Sequence, residues 1–597
     1  MLRTVVGDAS RLARASAPRG LLKPQPRRAR LSTHSISASS SHHSTRNAPN
    51  RRTLAYAAGA FALVGGTYLA SSAESDSSSA PLLPPSFNSS DPLSALDPSA
   101  LARTSVHLTS SSLSDLVRQW VVFAVSEQSK LVEAGPWIMG KVEWTRDNVP
   151  ILGQAVWAVF AFGMEQTFYR VFVGGETVPG CAETVDRYAA KGVGVMFNYS
   201  AEAPLGASKP ASGIDHDAMR EIHNAVIEAA KLAPPTIPTS DVPVNAIKPS
   251  LLAIKLTGLI YDASLLARAA SALTSNSIFQ RGDRVPVDAT RPFPESADLS
   301  DEDHVQLANL YDGLRRVASE AQKQGVRLLV DAEQSWFQPA IDHFADLLSE
   351  EFNKPDPSLP GPAAPIVYNT YQCYLRTTPS KLQAALAHAS SNGYSFGAKL
   401  VRGAYVESER KRHAASDVAN DEPCIVWNSK DETDECYDSC AAILERRIVE
   451  DLRNSSEKDK EAKASVGVCL ASHNGTSMKK FLGRLREDGM VKSAREGRLE
   501  VDERLRGRVA FGQLMGMSDN LTSTLLSILP EPSPSAVPLV VKYVPYATLS
   551  QGLPYLIRRA NENQSILKGD PTSGRGGATD ERRAVGKEIR RRMGLSF

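Results

Sequence analysis

Acidic residues are nearly missing from the start of the chain. Between Met1 and Ala73 only Asp8 is acidic, while arginines recur at 3, 11, 14, 19, 27, 28 and 30 among many serines and alanines. This is the composition of a mitochondrial transit peptide, assigned here to residues 1–50. Its logic is a basic amphipathic helix drawn toward a negative-inside potential. The whole chain, by contrast, has no excess of either charge. A net +2 over 597 residues gives no overall bias toward nucleic acid or a membrane surface. The six cysteines contain no C-x-x-C pair and no Cys/His metal spacing. Cys436 and Cys440 can share a helix face, but two ligands do not make a zinc site. No metal is expected, and the thiols read as free in a reducing compartment.

Charge is also absent from Leu54 to Ala70, which follows Arg51-Arg52. Its 17 residues sit at the lower limit for a spanning helix, so residues 51–72 are read as an inner-membrane or sorting segment. Serine and proline then dominate, and residues 73–110 read as a disordered linker. A helical apolar pattern over residues 111–190 (Leu116, Trp120, Val121, Phe123, then Val156 to Phe162) predicts a small helical arm. The basic end, residues 571–597 with Arg582-Arg583, Lys587 and Arg590-Arg591-Arg592, reads as a helix or tail that is solvated or meets an anionic membrane.

With 42% hydrophobic residues the chain can build a large core, and residues 191–570 show how. Short apolar runs occur at 194–199, 252–257, 327–332, 366–370, 396–401, 466–471, 508–513 and 539–543. Helical patterns lie between them, such as Phe337, Ala340, Ile341, Phe344, Leu347 and Leu348. Eight buried strands alternating with helices predict an α/β fold, a (β/α)8 TIM-like barrel carrying the N-terminal helical arm and a disordered leader. Stretches 234–245, 276–301, 355–365, 416–435 and 453–463 read as inserted loops.

The last strand-like run, Val541-Lys542-Tyr543-Val544-Pro545-Tyr546, is followed by a helical segment with Leu553, Leu556, Ile557 and Ala560 on one face. Thr548-x-x-Gln551 is a candidate capping box, and Arg558 and Glu562 stand four apart. The adjacent Arg558 and Arg559 suit a small carboxylate, which their forks can bind with paired charged hydrogen bonds. Alone they fit a solvated basic face equally well. Chemistry in such a barrel sits at the C-terminal strand ends. Lys255, Asp331, Gln372, Lys399, Arg402, Ser472-His473-Asn474, Gln513 and Tyr543 all fall there. One such residue is unremarkable; polar groups at nearly every strand end are not.

The segments Leu329-Val330-Asp331-Ala332-Glu333, Tyr368-Asn369-Thr370-Tyr371-Gln372, Gly397-Ala398-Lys399-Leu400-Val401-Arg402-Gly403-Ala404-Tyr405, Ser472-His473-Asn474, Gln513-Leu514-Met515-Gly516-Met517 and Tyr543-Val544-Pro545-Tyr546 with Arg558-Arg559-x-x-Glu562 resemble proline dehydrogenase, in order as well as in content. The likeness spans roughly residues 190–565. It is to the mitochondrial eukaryotic members, and the extended leader points to the fungal ones. The resemblance implies a barrel holding FAD at the strand C-termini. L-proline would be oxidised to Δ1-pyrroline-5-carboxylate by hydride transfer to flavin N5, with a quinone as electron acceptor, as the first step of proline catabolism toward glutamate. The lack of a G-x-G-x-x-G loop fits, because this family uses no Rossmann site.

Carried over by residue, the resemblance implies that Arg558 and Arg559, with Lys255 as a third cation, bind the proline carboxylate, and that Tyr543 packs on the ring. Asp331 would hold Tyr543 or the cations in place. Lys399 matches a position near the flavin that many bacterial relatives fill with Arg, where a cation favours the anionic reduced cofactor. Gln372, Val401, Gly403, Ser472, His473 and Glu562 match cofactor contacts, and Glu202 matches an acidic lid residue. The sister family that oxidises hydroxyproline carries a smaller residue at the position of Tyr543, which favours proline here. Two other readings of the residues stand beside this one. A class I aldolase would use Lys255 or Lys399 as a Schiff-base amine. A membrane-tethered scaffold would bind no cofactor.

Overall fold

Strand-like runs rich in valine and leucine can be buried on both faces only within a parallel sheet flanked by helices, and this chain uses eight that way. In the computed structural model they are β1 (Gly194–Tyr199), β2 (Ser250–Ile254), β3 (Arg327–Val330), β4 (Val367–Gln372), β5 (Phe396–Val401), β6 (Val466–Ala471), β7 (Val509–Leu514) and β8 (Val540–Tyr546). All neighbours are parallel, and β1 pairs with β8 from Gly194↔Val541 to Tyr199↔Tyr546, closing the barrel. The structure describes residues 91–597 except 105, 110, 201–212, 233–249, 281–287, 289, 356–361, 417–421, 455–462, 530–536, 568–577 and 595–597. The transit peptide, the Leu54–Ala70 segment and Glu202 lie outside the described residues.

The helices that matter below are α1 (Leu113–Ser126), α2 (Ser129–Asn148), α3 (Leu152–Met164), α4 (His216–Leu232), α5 (Ser264–Thr274), α6 (Asp301–Gln324), α7 (Gln338–Phe352), α8 (Thr378–Asn392), α9 (Lys430–Asn454), α10 (Gly475–Glu487), α11 (Asp519–Ile528), α12 (Leu549–Leu567) and α13 (Ala578–Arg592). The first three form the expected arm. The Ser112 side chain accepts from the Asp115 N–H (3.1 Å), capping α1. At the start of α12, Gln551 accepts from the Thr548 N–H (3.2 Å), which is half of a capping box. Pro554 lies inside α12, which begins at Leu549.

The barrel lumen is filled by side chains from alternating strand positions, among them Met196, Leu251, Leu329, Tyr368, Cys469 and Val541. Tyr368 is the largest of these, and two glycines make room for it. A Cβ at Gly397 would stand 2.5 Å from the Val367 carbonyl oxygen and 2.7 Å from Tyr368 Cγ. A Cβ at Gly467 would stand 2.3 Å from the Tyr368 hydroxyl. Outside the strands, Cys373, Cys436 and Cys440 bring three buried thiols within 4.8 Å of one another. The third member comes from the end of β4, too far along the chain for spacing to reveal it.

Two sequence expectations need correction. The disordered linker does not reach residue 110. From Asp91 the chain forms short helices at Pro92–Leu96, Pro98–Leu101 and Val106–Thr109. Leu93, Ala95 and Leu96 are buried with α10 side chains such as Met478 and Phe481, so this strap has an apolar purchase that its serine and proline content conceals. Asp91 pairs with Arg486 and Asp97 with Lys479, each at 2.7 Å. The basic C-terminal segment is not merely solvated. Over α13, Val585 is buried, Arg582 meets Glu127 at 2.9 Å, and Arg592 donates to the Leu108 and Ser111 carbonyls at 2.6 Å.

Gly397→Ala should cost about 1–3 kcal/mol, the usual range for overpacking a core. A thermal melt of the variant checks this; an unchanged midpoint would mean the Tyr368 layer can yield.

Candidate active site

The site begins with a carboxylate that the fold has buried. Asp331 follows β3, and its backbone N–H donates to Ile254 O of β2 at 2.8 Å. Its side chain is 6% exposed and has two partners. Lys399 of β5, 4% exposed, forms an ion pair with Oδ1. Tyr543 of β8 donates its phenol to Oδ2 at 2.8 Å. The Lys399 ammonium also stands 5.5 Å from the centre of the Tyr543 ring. Burial, then the Asp331 charge, push the Tyr543 phenol well above its ordinary pKa, so it stays a donor. The three residues read as catalytic from sequence therefore form one contact group across the barrel mouth.

A second aromatic stands beside the arginines expected to hold a carboxylate. Tyr555 of α12 is buried, and burial pushes its phenol up to about 12, opposed by the charges of Arg559, Arg558 and Lys255 and aided by Glu562. The Arg559 guanidinium lies 5.0 Å from the Tyr555 ring centre and pairs with Glu562. The i,i+3 Arg559–Glu562 pair stands beside the i,i+4 relation expected for Arg558. Lys255 follows β2, half-buried, and acts on Glu333. Glu333, 3% exposed, accepts from the Thr257 N–H at 3.0 Å, and burial raises its pKa despite Lys255.

The remaining candidates line the same strand ends. Gln372 donates to Glu333 O (2.6 Å) and to the Tyr374 hydroxyl (2.9 Å). Val401 ends β5 and Gly403 lies in the turn after it; a Cβ on Gly403 would meet the Val406 side chain at 2.7 Å. Ser472 accepts from Arg402 Nε at 3.0 Å. Arg402 also meets Asp434 and stacks 4.1 Å from the Tyr437 ring centre, so it braces the β5 and β6 ends. His473 is held neutral: burial, with Lys542 and Arg559 nearby, lowers its pKa to about 3. Glu333 and Tyr555 are site residues to which the sequence pattern assigned no role. An acid two residues after Asp331 and a tyrosine three before Arg558 were the available signals.

Several buried donors here have no hydrogen bond among the described residues: His473 Nδ1, Gln513 Nε2, Arg559 Nε and the Tyr555 hydroxyl. An unsatisfied buried polar atom costs about 1–3 kcal/mol. Such a set at one mouth fits a polar, anionic cofactor and substrate better than an apolar one.

The family model described as proline dehydrogenase matches residues 181–569. The chain belongs to the proline dehydrogenase family. It is an oxidoreductase acting on proline by that membership. A mitochondrial proline dehydrogenase of Arabidopsis thaliana is 30% identical over 464 residues, covering 76% of this chain and 80% of the relative. The human mitochondrial proline dehydrogenase is 33% identical over 271 residues, but the match spans only 45% of this chain and 38% of that protein. A hydroxyproline dehydrogenase of Xenopus laevis is 29% identical over 437 residues, covering 73% and 80%. Among solved structures, proline utilization A of Bdellovibrio bacteriovorus superposes with a TM-score of 0.51 at 17% identity, over 79% of this chain and 43% of that one, which bears on the fold alone.

Beside this site His107 is buried near the Lys542–Asp519 pair (2.7 Å), and burial lowers its pKa to about 4. Unfolded, it would titrate near about 6.5. Between these values the unfolded chain takes up a proton that the folded chain refuses, so stability falls as pH falls. The slope is at most about 1.4 kcal/mol per pH unit per histidine. His107→Gln should flatten the pH dependence of denaturant midpoints between pH 6.5 and 5; an unchanged slope would show that the ring is charged when folded.

Proposed function

We propose that the chain oxidises L-proline to Δ1-pyrroline-5-carboxylate with FAD, in the mitochondrion, and passes the electrons to a quinone at the inner membrane. The observation that carries this is the buried Asp331–Lys399–Tyr543 group at the strand ends, with the Arg559 guanidinium 5.0 Å from the Tyr555 ring on the helix that follows β8. Proline is a zwitterion whose carboxylate three cations can hold. With that end fixed, positioning supplies a large share of the rate. Tyr543, held by Asp331, offers its ring as a wall for the pyrrolidine. Oxidation removes a hydride from C5 and a proton from nitrogen, leaving a C=N bond. Bound FAD would supply the hydride acceptor and the route to quinone.

The chain's own residues then have separate tasks. Lys399 places a cation where reduced cofactor charge would develop, and its pairing with Asp331 keeps it from swinging into solvent. Gln372, Val401, Gly403, Ser472, His473 and Glu562 would hold the cofactor, supported by the unsatisfied donors of His473 and Gln513. The mitochondrial location rests on the leader composition and on the mitochondrial relatives. The aldolase reading loses ground, because Lys399 is committed to a buried ion pair.

Anaerobic L-proline should bleach a visible flavin band in the purified protein; absence of the band, or its persistence with proline, would end this reading. Arg559→Ala should raise KM for proline by about a hundredfold, the loss of about 2.7 kcal/mol for a charged hydrogen bond to substrate, with a smaller effect on kcat. Tyr543→Ser should raise activity on 4-hydroxyproline relative to proline, and unchanged selectivity would remove Tyr543 from the specificity wall.

A further inference from the structure

Large apolar side chains exposed among the described residues are concentrated in one place. Of the nine most exposed, seven lie on the α2–α3 hairpin; Val305 and Met593 are the others. Leu152 (62%), Val156 (38%), Val159 (75%) and Phe162 (52%) recur at three to four residues, which is one face of α3. Ile151, at 87%, stands at the turn into α3, and Trp137 and Trp144 project from α2.

The opposite face of α3 is apolar as well. Trp157, Phe160, Ala161 and Met164 join a cluster with Leu553, Tyr555 and Leu556 of α12. Leu152–Met164 contains no charged residue. A helix apolar all round needs cover on every side, and this one has it on one side only. At 13 residues α3 is about 20 Å long, too short for the roughly 30 Å hydrocarbon core. No described helix is long and apolar enough to cross a membrane. Runs of this length that face lipid lie in the interface or re-enter it.

We propose that the α2–α3 hairpin inserts into one leaflet of a lipid bilayer. Ile151 and Leu152 lead, and the two tryptophans sit at headgroup level, where such side chains are favoured. Three basic and three acidic residues on α2 (Lys130, Lys141, Arg146; Glu133, Glu143, Asp147) cancel, so the attraction is apolar and not electrostatic. A tip of exposed aliphatic residues, Ile151 and Leu152, suits a deformable lipid phase better than a second rigid copy. Because the inner face of the hairpin packs on the helix bearing Arg558 and Arg559, insertion sets lipid beside the site, which rests on the quinone reading only for its purpose.

The test is tryptophan fluorescence of the full-length protein with vesicles of zwitterionic phosphatidylcholine brominated at carbons 6 and 7. Quenching should appear, persist in high salt, and largely vanish in Trp137→Phe/Trp144→Phe. Ile151→Asp/Val159→Asp should weaken the quenching response at least tenfold while proline still bleaches the flavin. Vesicle flotation without quenching would mean that another segment, such as Leu54–Ala70, carries membrane attachment, and would overturn the proposal. So would a halved mass by light scattering in the aspartate variant with quenching intact, which would assign the face to a second copy. No turnover is needed, so failure here leaves the activity reading standing.

Discussion

A carboxylate with almost no access to water must be answered by donors, and at the barrel mouth Asp331 is answered from two directions. Lys399 reaches it from β5 and Tyr543 from β8. Neither strand neighbours β3 in the barrel order. The contacts therefore cross the mouth, and they tie together strands that backbone hydrogen bonds leave apart. Removing one partner of a buried pair leaves a charge that nothing else can solvate, at a cost of about 3–5 kcal/mol. The Tyr543 ring and the Lys399 ammonium thus share one anchor.

Around that anchor the charges are sorted by kind. The Arg559 guanidinium lies over the Tyr555 ring, while His473 stays neutral near Arg559 and Lys542. Acids accompany these cations: Glu562 pairs with Arg559, Asp519 pairs with Lys542, and Glu333 feels the charge of Lys255.

Much of this was visible in the residues. The strand-like runs found their places because each is short, apolar and ended by a polar group; β5 and β6 match the expected spans to the residue. Ends moved where another element takes over: β2 stops at Ile254, before a 3-10 turn over Leu256–Leu259, and β8 runs on through Pro545. Other features had no local signal. The Cys373 thiol meets Cys436 and Cys440 only through the fold. The residues around Asp91 looked like linker because serine and proline outnumber the few leucines that do the packing. Arg402, a polar strand end among several, gave no hint that it would brace β5 against α9 through Asp434.

The strap that begins at Asp91 has a consequence for where the chain can be cut. A Cβ at Gly475 would stand 2.7 Å from the Leu96 carbonyl oxygen, so segment and helix approach backbone to backbone. Leu93 and Leu96 roof Phe481 and Met478, and two ion pairs fasten the edges. Only a cut upstream of Asp91 therefore leaves these contacts whole. A cut a few residues later would unroof the helix layer beneath and leave a sticky scar on an otherwise finished enzyme.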